Sequence, residues 1–404
     1  MYALIKRSRT KLDYNVFLFT LLGLLTAFGP FVTDMYLPSL PAMVSYFETT
    51  LSVVQLGLTT SFVGLAVGQI FFGPLSDKYG RRPLLLVAMG LFIISTVICI
   101  FSPTIHLFIL FRFVQGVAGA GGIVIARSIA TDKFEGKDLM RILAIVGAIN
   151  GIAPVIAPVL GGTLTDSVGW QGIFSVLLVI GLILSAGCIY FKESLPVTAR
   201  SHAGLVNLFY SFKRVVRNRR YLFYVLQLGF AHGVLFSNIA SSSFIVQEHY
   251  GYSPLAFSIC FGVNAIAIGV AAALSVKFRK PEDGTFTGCI GMVLFSICEC
   301  IALYLGCSFW VYEAILLVLL FMMGLTFTST TVLAMDSERK NSGTASAFLG
   351  AICFIFGGIV SPLVGLGNIL ISTGTLFVLC SVCSLLCAIK AKRYVHESAP
   401  VSES

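Results

Sequence analysis

The 404 residues are 57% hydrophobic and 11% charged, with a mean hydropathy of +0.94, too apolar and too sparsely charged for a water-facing surface. That composition excludes a soluble fold and describes an all-α integral membrane protein. A net charge of +9 does not point to nucleic acid here, because the basic residues are confined to alternate connections between apolar runs.

A helical span needs about 20 apolar residues. Twelve such runs begin near Val16, Leu51, Leu84, His106, Arg141, Trp170, Tyr221, Leu255, Phe286, Trp310, Gly343 and Ile369. Of the 27 Lys and Arg residues, 25 precede run 1, follow run 12, or lie after an even-numbered run; the other two, Arg112 and Arg127, belong to run 4. The positive-inside rule therefore predicts both termini in the cytoplasm. The basic start leads into a long apolar run with no small-residue cleavage site, which reads as an uncleaved first span.

Run 1 ends in Asp34-Met35-Tyr36-Leu37-Pro38-Ser39-Leu40-Pro41, bringing a carboxylate into the outer part of the membrane. A charge at that depth is costly and marks a functional position by default; the alternative is a cap on a helix break before the two prolines. Runs 2 and 3 are joined by Gly73-Pro74-Leu75-Ser76-Asp77-Lys78-Tyr79-Gly80-Arg81-Arg82-Pro83. Gly80 permits a tight turn, Pro83 suits a first helical turn, and Asp77 stands four residues before Arg81, within reach of a local ion pair.

Run 4 holds Arg112, Gln115 and Gly116. At about 1.5 Å per residue, Arg112 falls roughly 9 Å deep, in the same layer as Asp34. Opposite charges at one depth invite pairing, either as coupled groups or as a structural salt bridge. Run 5 carries Gly147, Gly151, Pro154, Pro158, Gly161 and Gly162, a kinked, closely packing helix. Lys192-Glu193-Ser194-Leu195-Pro196 opens the longest polar connection, whose cluster from Lys213 to Arg220 is either a helix on anionic headgroups or a solvated linker. Run 7 brings Gln227, His232, Asn238 and Ser241 to Ser243, enough to line a wet cavity. Glu299 in run 9 is expected to be neutral or paired at the bundle edge, and Glu313 in run 10 to be interfacial.

The second half echoes the first. Gly350-Ala351-Ile352 and Pro362 match Gly147-Ala148-Ile149 and Pro158, and Lys277-Phe278-Arg279-Lys280 takes the place of the basic loop. Two parallel repeats are the simplest account. The predicted division is an N-terminal six-helix bundle (1–191), a cytoplasmic linker with a basic amphipathic segment (192–220), a C-terminal six-helix bundle (221–390) and a cytoplasmic tail (391–404). Eleven cysteines, nine from Cys260 onward, sit in apolar runs without metal or haem spacing and read as small apolar fillers. No phosphate-cradling loop, nucleophile with base or metal cluster is evident, so an enzyme or ATPase is not expected.

The loop from Gly73 to Pro83, Asp34 through Pro41, Arg112 with Gln115 and Gly116, the proline-rich run 5 and Lys192 through Pro196 together resemble the major facilitator superfamily. The resemblance is to its twelve-helix drug:proton antiporters, in the bicyclomycin and chloramphenicol resistance (Bcr/CflA) branch. Ala153, where many relatives have glycine, and Glu299 depart from that pattern. The resemblance implies two pseudo-symmetric six-helix bundles in the bacterial inner membrane that rock about a midplane site. It implies a gate at Gly73, Asp77, Gly80, Arg81 and Arg82, and proton coupling through Asp34, tuned by Arg112. It implies an antiporter helix at Gly147, Gly151, Pro154, Pro158, Gly161 and Gly162, and a substrate cavity with Phe31, Tyr36, Gln115, Phe236, Asn238 and Phe327. A small-molecule substrate, the proton and the lipid bilayer are the expected partners of a monomer, with no cofactor beyond the proton gradient and no nucleic acid. The alternative is a proton-coupled carrier of a metabolite such as a sugar, amino acid or polyamine.

Overall fold

The computed structural model describes residues 2–134, 136–200, 213–338 and 342–397. Arg339, Lys340, residues 201–212 of the long connection and residues 398–404 of the tail lie outside the described residues. So do the side chains of Lys6, Arg7, Arg9, Lys11, Lys137 and Arg141 and the surroundings of Gly147.

Helix α1 (Tyr2–Asp34) ends at the carboxylate read from the sequence, and a short helix, Leu40–Tyr46, follows it with a proline in its first turn. Next come α2 (Leu51–Tyr79), α3 (Arg81–Ile100) and α4 (Ile105–Lys133). A single helical stretch then runs Gly136–Tyr190, 55 residues. At about 1.5 Å per residue that is far longer than the roughly 30 Å of hydrocarbon it must cross. Gly169, at φ 66°, divides it into α5 (136–168) and α6 (170–190). The second half holds α7 (Arg219–Phe244), continued by a π-helical turn Ile245–His249, then α8 (Pro254–Leu274), α9 (Pro281–Tyr304), α10 (Phe309–Ser337), α11 (Ser342–Val364) and α12 (Ile369–Glu397). Eleven helical stretches among the described residues are long and apolar enough to cross a membrane, and the one spanning Gly151–Tyr190 contains the break at Gly169. The count is therefore twelve.

Each half repeats one packing scheme. α2 packs on α4 and α3 on both α4 and α6; correspondingly α8 packs on α10 and α9 on both α10 and α12. Close contacts are made by glycines: a Cβ on Gly116 would stand 2.2 Å from the Ser61 carbonyl oxygen, and one on Gly64 2.3 Å from that of Phe113. Backbone thus meets backbone between α2 and α4, the association that small residues permit where lipid removes the hydrophobic drive. The halves meet along α2 with α11 and α5 with α8. α3, α6, α9 and α12 stand outside, presenting Ile94, Ile183, Ile297 and Leu386 to what must be hydrocarbon.

The basic cluster after the long connection is helical over 213–217, and Asn218 caps α7 by accepting from the Tyr221 amide. Asn218 also donates to the Ser337 carbonyl at 2.9 Å and to Glu338 at 2.7 Å, tying the connection to the C-terminal half.

Candidate translocation site

The turn joining α2 to α3 lies on the face that carries the basic connections, called here the basic face. Gly80 adopts φ 103°, a conformation that favours glycine. The predicted pair forms, since Arg81 donates to Asp77. Sequence reasoning missed the other partners. Arg81 also donates to Ser76 at 2.7 Å and to Asp132, at the end of α4, at 2.9 Å. Glu193 accepts from the backbone amides of Arg81 and Arg82 at 3.0 and 3.1 Å, neutralising the free N–H groups that open α3. The signal for Glu193 was its place in the Lys192–Pro196 stretch; nothing in spacing alone marked Asp132.

Two adjacent cavities lie between the halves. The central one, about 370 Å³, is walled by α1, α2, α4 and α5 of one half and α7, α8, α10 and α11 of the other, a size suited to a drug-like molecule. The second, about 530 Å³, opens at the basic face between Asp77, Ser128 and Thr131 on one side and Thr344 and Ser346 on the other. Gln69 and Arg127 line both, and so stand between them. On the opposite face the halves are bonded shut: Ser52 donates to the Gly365 carbonyl at 2.6 Å, Gln55 to Ala240 at 3.1 Å, Ser243 to Leu37 at 2.7 Å and Gln247 to Pro38 at 3.0 Å.

Asp34 lines the central cavity, only 7% exposed. Its carboxylate accepts from the Thr33 hydroxyl at 2.7 Å, with no ion pair among the described residues. It does not cap the following turns, whose first residues lack side-chain caps. The expected pairing with Arg112 does not form either. Depth had placed the two charges in one layer, but the rotation of α4 separates them. Arg112 is fully buried outside the cavity, its guanidinium 4.4 Å from the Tyr36 ring centre and 5.5 Å from that of Phe174. It donates to the Val32 carbonyl at 3.2 Å and to Gln115, which itself donates to Thr96 at 2.7 Å. Arg112 thus grips the chain two residues before Asp34 and stacks on it two residues after, where cation–π attraction is strengthened by desolvation.

Of the six predicted cavity residues, Phe236, Asn238 and Phe327 line the chamber. Tyr36 and Gln115 do not, because they are fully buried around Arg112. Phe31 does not either: it packs against the core. Gly151 and Pro154 of the helix-5 motif reach the cavity wall, whereas Gly161 and Gly162 pack against Met35 and Ser258. In α7, His232 and Asn238 face the cavity; Gln227 instead bonds Ser384 at 2.9 Å, and Ser241 bonds Ser237 at 2.9 Å. His232 stacks on Phe327, ring centres 4.4 Å apart, and its Nδ1 lies 2.8 Å from the Leu228 carbonyl. A carbonyl only accepts, so Nδ1 carries hydrogen and Nε2 is left as an acceptor.

Of the two acids read from the sequence, only Glu313 departs from expectation. Glu299 sits at the bundle periphery, unpaired, with both oxygens buried and without a hydrogen-bond partner, which leaves the neutral alternative. Glu313 is not simply interfacial: it accepts from Asn264, a cavity residue, at 2.8 Å.

The family model of the Major Facilitator Superfamily matches residues 22–362. The chain belongs to that superfamily. Among its relatives, an uncharacterised transporter of the same superfamily, YdgK of Bacillus subtilis (strain 168), is 34% identical over 86% of this chain and 88% of its own. A bicyclomycin resistance protein homolog of Haemophilus influenzae is 27% identical over 87% and 89%, in keeping with the branch read from the loop and helix-5 motifs. A crystal structure of a bacterial homolog to the human lysosomal transporter Spinster, inward-facing and unoccupied, superposes with a TM-score of 0.77 at 16% identity, over 94% of this chain and 98% of that one. The facilitator fold therefore holds throughout: a multi-pass membrane transporter of two six-helix halves.

Proposed function

We propose that the protein exports drugs or other small amphipathic compounds in exchange for protons, by alternating access, with Asp34 as the proton carrier. The observation that carries the reading is the setting of Asp34. It is a carboxyl on the wall of a largely apolar, aromatic chamber, without a direct ion pair, where protonation is a route to neutrality. Arg112 positions residues 32–36 and acts on Asp34 only through its charge, at a distance. The positive-inside bias supports a cytoplasmic basic face and cytoplasmic termini, so the chamber is open toward the cytoplasm, as expected of an exporter awaiting substrate.

The test is proton movement in proteoliposomes holding an internal pH dye. Lipophilic cations, phenicols and small metabolites are added in turn. A drug-evoked pH change supports antiport of drugs; silence with drugs and a response to a metabolite moves the reading to a metabolite carrier; silence with both overturns proton coupling.

Phe236→Ala and Phe327→Ala are expected to alter the order of preference among substrates, since each removes an aromatic wall. Export assays across several compounds read this directly, and an unchanged profile would remove these rings from the binding site. The gate carries a separate expectation. Asp77→Asn leaves Arg81 held by Asp132 and Ser76, so insertion and folding should persist. Half of the Asp77 side chain faces the vestibule, opposite Thr344 and Ser346, where a closing α11 would meet it. Loss of about 1 kcal/mol in one state changes the ratio of states about fivefold, and turnover should slow to match; normal turnover would refute the gate.

A further inference from the structure

Behind the cavity wall of the C-terminal half lies a second group of acids that the mechanism above does not use. Asn264 on α8 lines the cavity, donates from Nδ2 to Glu313 of α10 at 2.8 Å, and leaves its own Oδ1 buried without a partner. Glu313 is in electrostatic contact with Glu299 of α9, which is fully buried. Neither carboxylate oxygen of Glu299 has a hydrogen-bond partner, and neither acid forms an ion pair among the described residues. Tyr312 of α10, 1% exposed with its hydroxyl also unpartnered, faces both acids. Three further groups complete the surroundings. Tyr250, after the π-helical turn, donates to the Cys307 carbonyl at 3.1 Å and faces Glu299; Cys260 of α8 faces Glu313; and α12 closes the site with Gly374 against Cys300. All these titratable neighbours are acids or phenols and thiols, and none supplies a positive charge.

A carboxylate in such a place is untenable as an anion, since it has lost water and gained neither a cation nor a donor. Two adjacent acids with one external donor also disfavour a doubly ionised pair. We propose that Glu299 and Glu313 form a second proton site. Glu299 holds one proton throughout, and Glu313, the member bonded to the cavity residue Asn264, takes up and releases another. In the released form Glu313 is an anion bonded to Asn264 and backed by the neutral Glu299 carboxyl, whose O–H can turn to it. On uptake one proton from the cavity adds to Glu313, and the pair becomes neutral. Each half of the carrier then has one exchangeable proton, on Asp34 and on Glu313, and the inference rests on the proton-coupled reading.

Two measurements test it. Infrared difference spectra of the purified protein in lipid, taken between wild type and Glu299→Gln, should show the carbonyl stretch of one neutral carboxylic acid lost at neutral pH. This readout needs no substrate and stands even if proton-coupled export fails. Spectra without that loss overturn the proposal. The second is the ratio of protons to substrate in proteoliposomes. Glu313→Gln should halve it, about twofold, with export retained; an unchanged ratio, or a Glu313→Gln ratio equal to wild type alongside an Asp34→Asn ratio of zero, assigns all coupling to Asp34 and overturns the second site. Glutamine matches the size and neutrality of a protonated glutamate, and Glu313→Asn serves if that protein does not accumulate.

Discussion

Asp34→Asn should weaken pH-driven accumulation while leaving exchange. One coupled proton crossing a difference of one pH unit releases about 1.4 kcal/mol, which sustains about a tenfold gradient of a neutral substrate. In the asparagine variant residue 34 is neutral in every state, so its share of the coupling is lost and the gradient should fall about tenfold per pH unit, leaving only what Glu313 carries. Folding should survive, because asparagine keeps an oxygen for the Thr33 hydroxyl and leaves the Arg112 grip on Val32 and Tyr36 untouched. Tracer exchange with equal substrate on both sides reports that integrity, since it requires rocking but no net proton movement. An undiminished pH-driven gradient would remove Asp34 from coupling. A residual gradient in Asp34→Asn that disappears when Glu313→Gln is added would place the remaining proton in the C-terminal half.

The features legible in the sequence are those that hydropathy and local spacing determine. Twelve apolar runs yield twelve spans, and the Gly80 turn with its Asp77–Arg81 pair follows from residues within one helical turn of each other. Depth was legible too: Arg112 does reach the layer of Asp34, close enough to bond Val32. Rotation was not. A span that is apolar all round carries no amphipathic stripe to mark its inner face, so Tyr36 and Gln115 were assigned to a cavity that they in fact support from behind. Phe236, Asn238 and Phe327, named with them, do line the chamber. Three amide or charged cavity residues passed without notice. Gln69 and Asn264 are isolated amides in apolar helices, a signal that the cost of burying an unpaired amide makes usable. Arg127 had been counted only as a charge at the end of its run, although it lines both chambers. Asp132 and Glu193 complete the hydrogen-bond network of the loop from 51 and 112 residues away from Arg81, a juxtaposition that only the packed half reveals.

Adjacent glycines on α5 should give opposite outcomes when enlarged. A Cβ on Gly161 would lie 1.8 Å from the Met35 carbonyl oxygen, a contact inside the N-terminal half that persists whichever way the halves rock. Backbone cannot turn aside, so Gly161→Val should reduce folded protein in the membrane. A Cβ on Gly162 would lie 2.3 Å from Ser258 Oγ and 2.9 Å from the Pro254 carbonyl oxygen, both on α8, in the other half. That clash exists only while the halves are closed on the face opposite the basic loops, and overpacking of this kind costs about 1–3 kcal/mol. In Gly162→Val the state closed on that face should therefore lose population by about fivefold to a hundredfold, with expression near normal. The readout is the rate at which a membrane-impermeant maleimide labels Ser346→Cys, an exposed vestibule position at the basic face. Labelling should slow by that factor in Gly162→Val and by less in Gly162→Ala. Unchanged labelling in a well-folded Gly162→Val protein would mean that α5 and α8 yield to the added bulk, and that this contact does not set the balance between the two states.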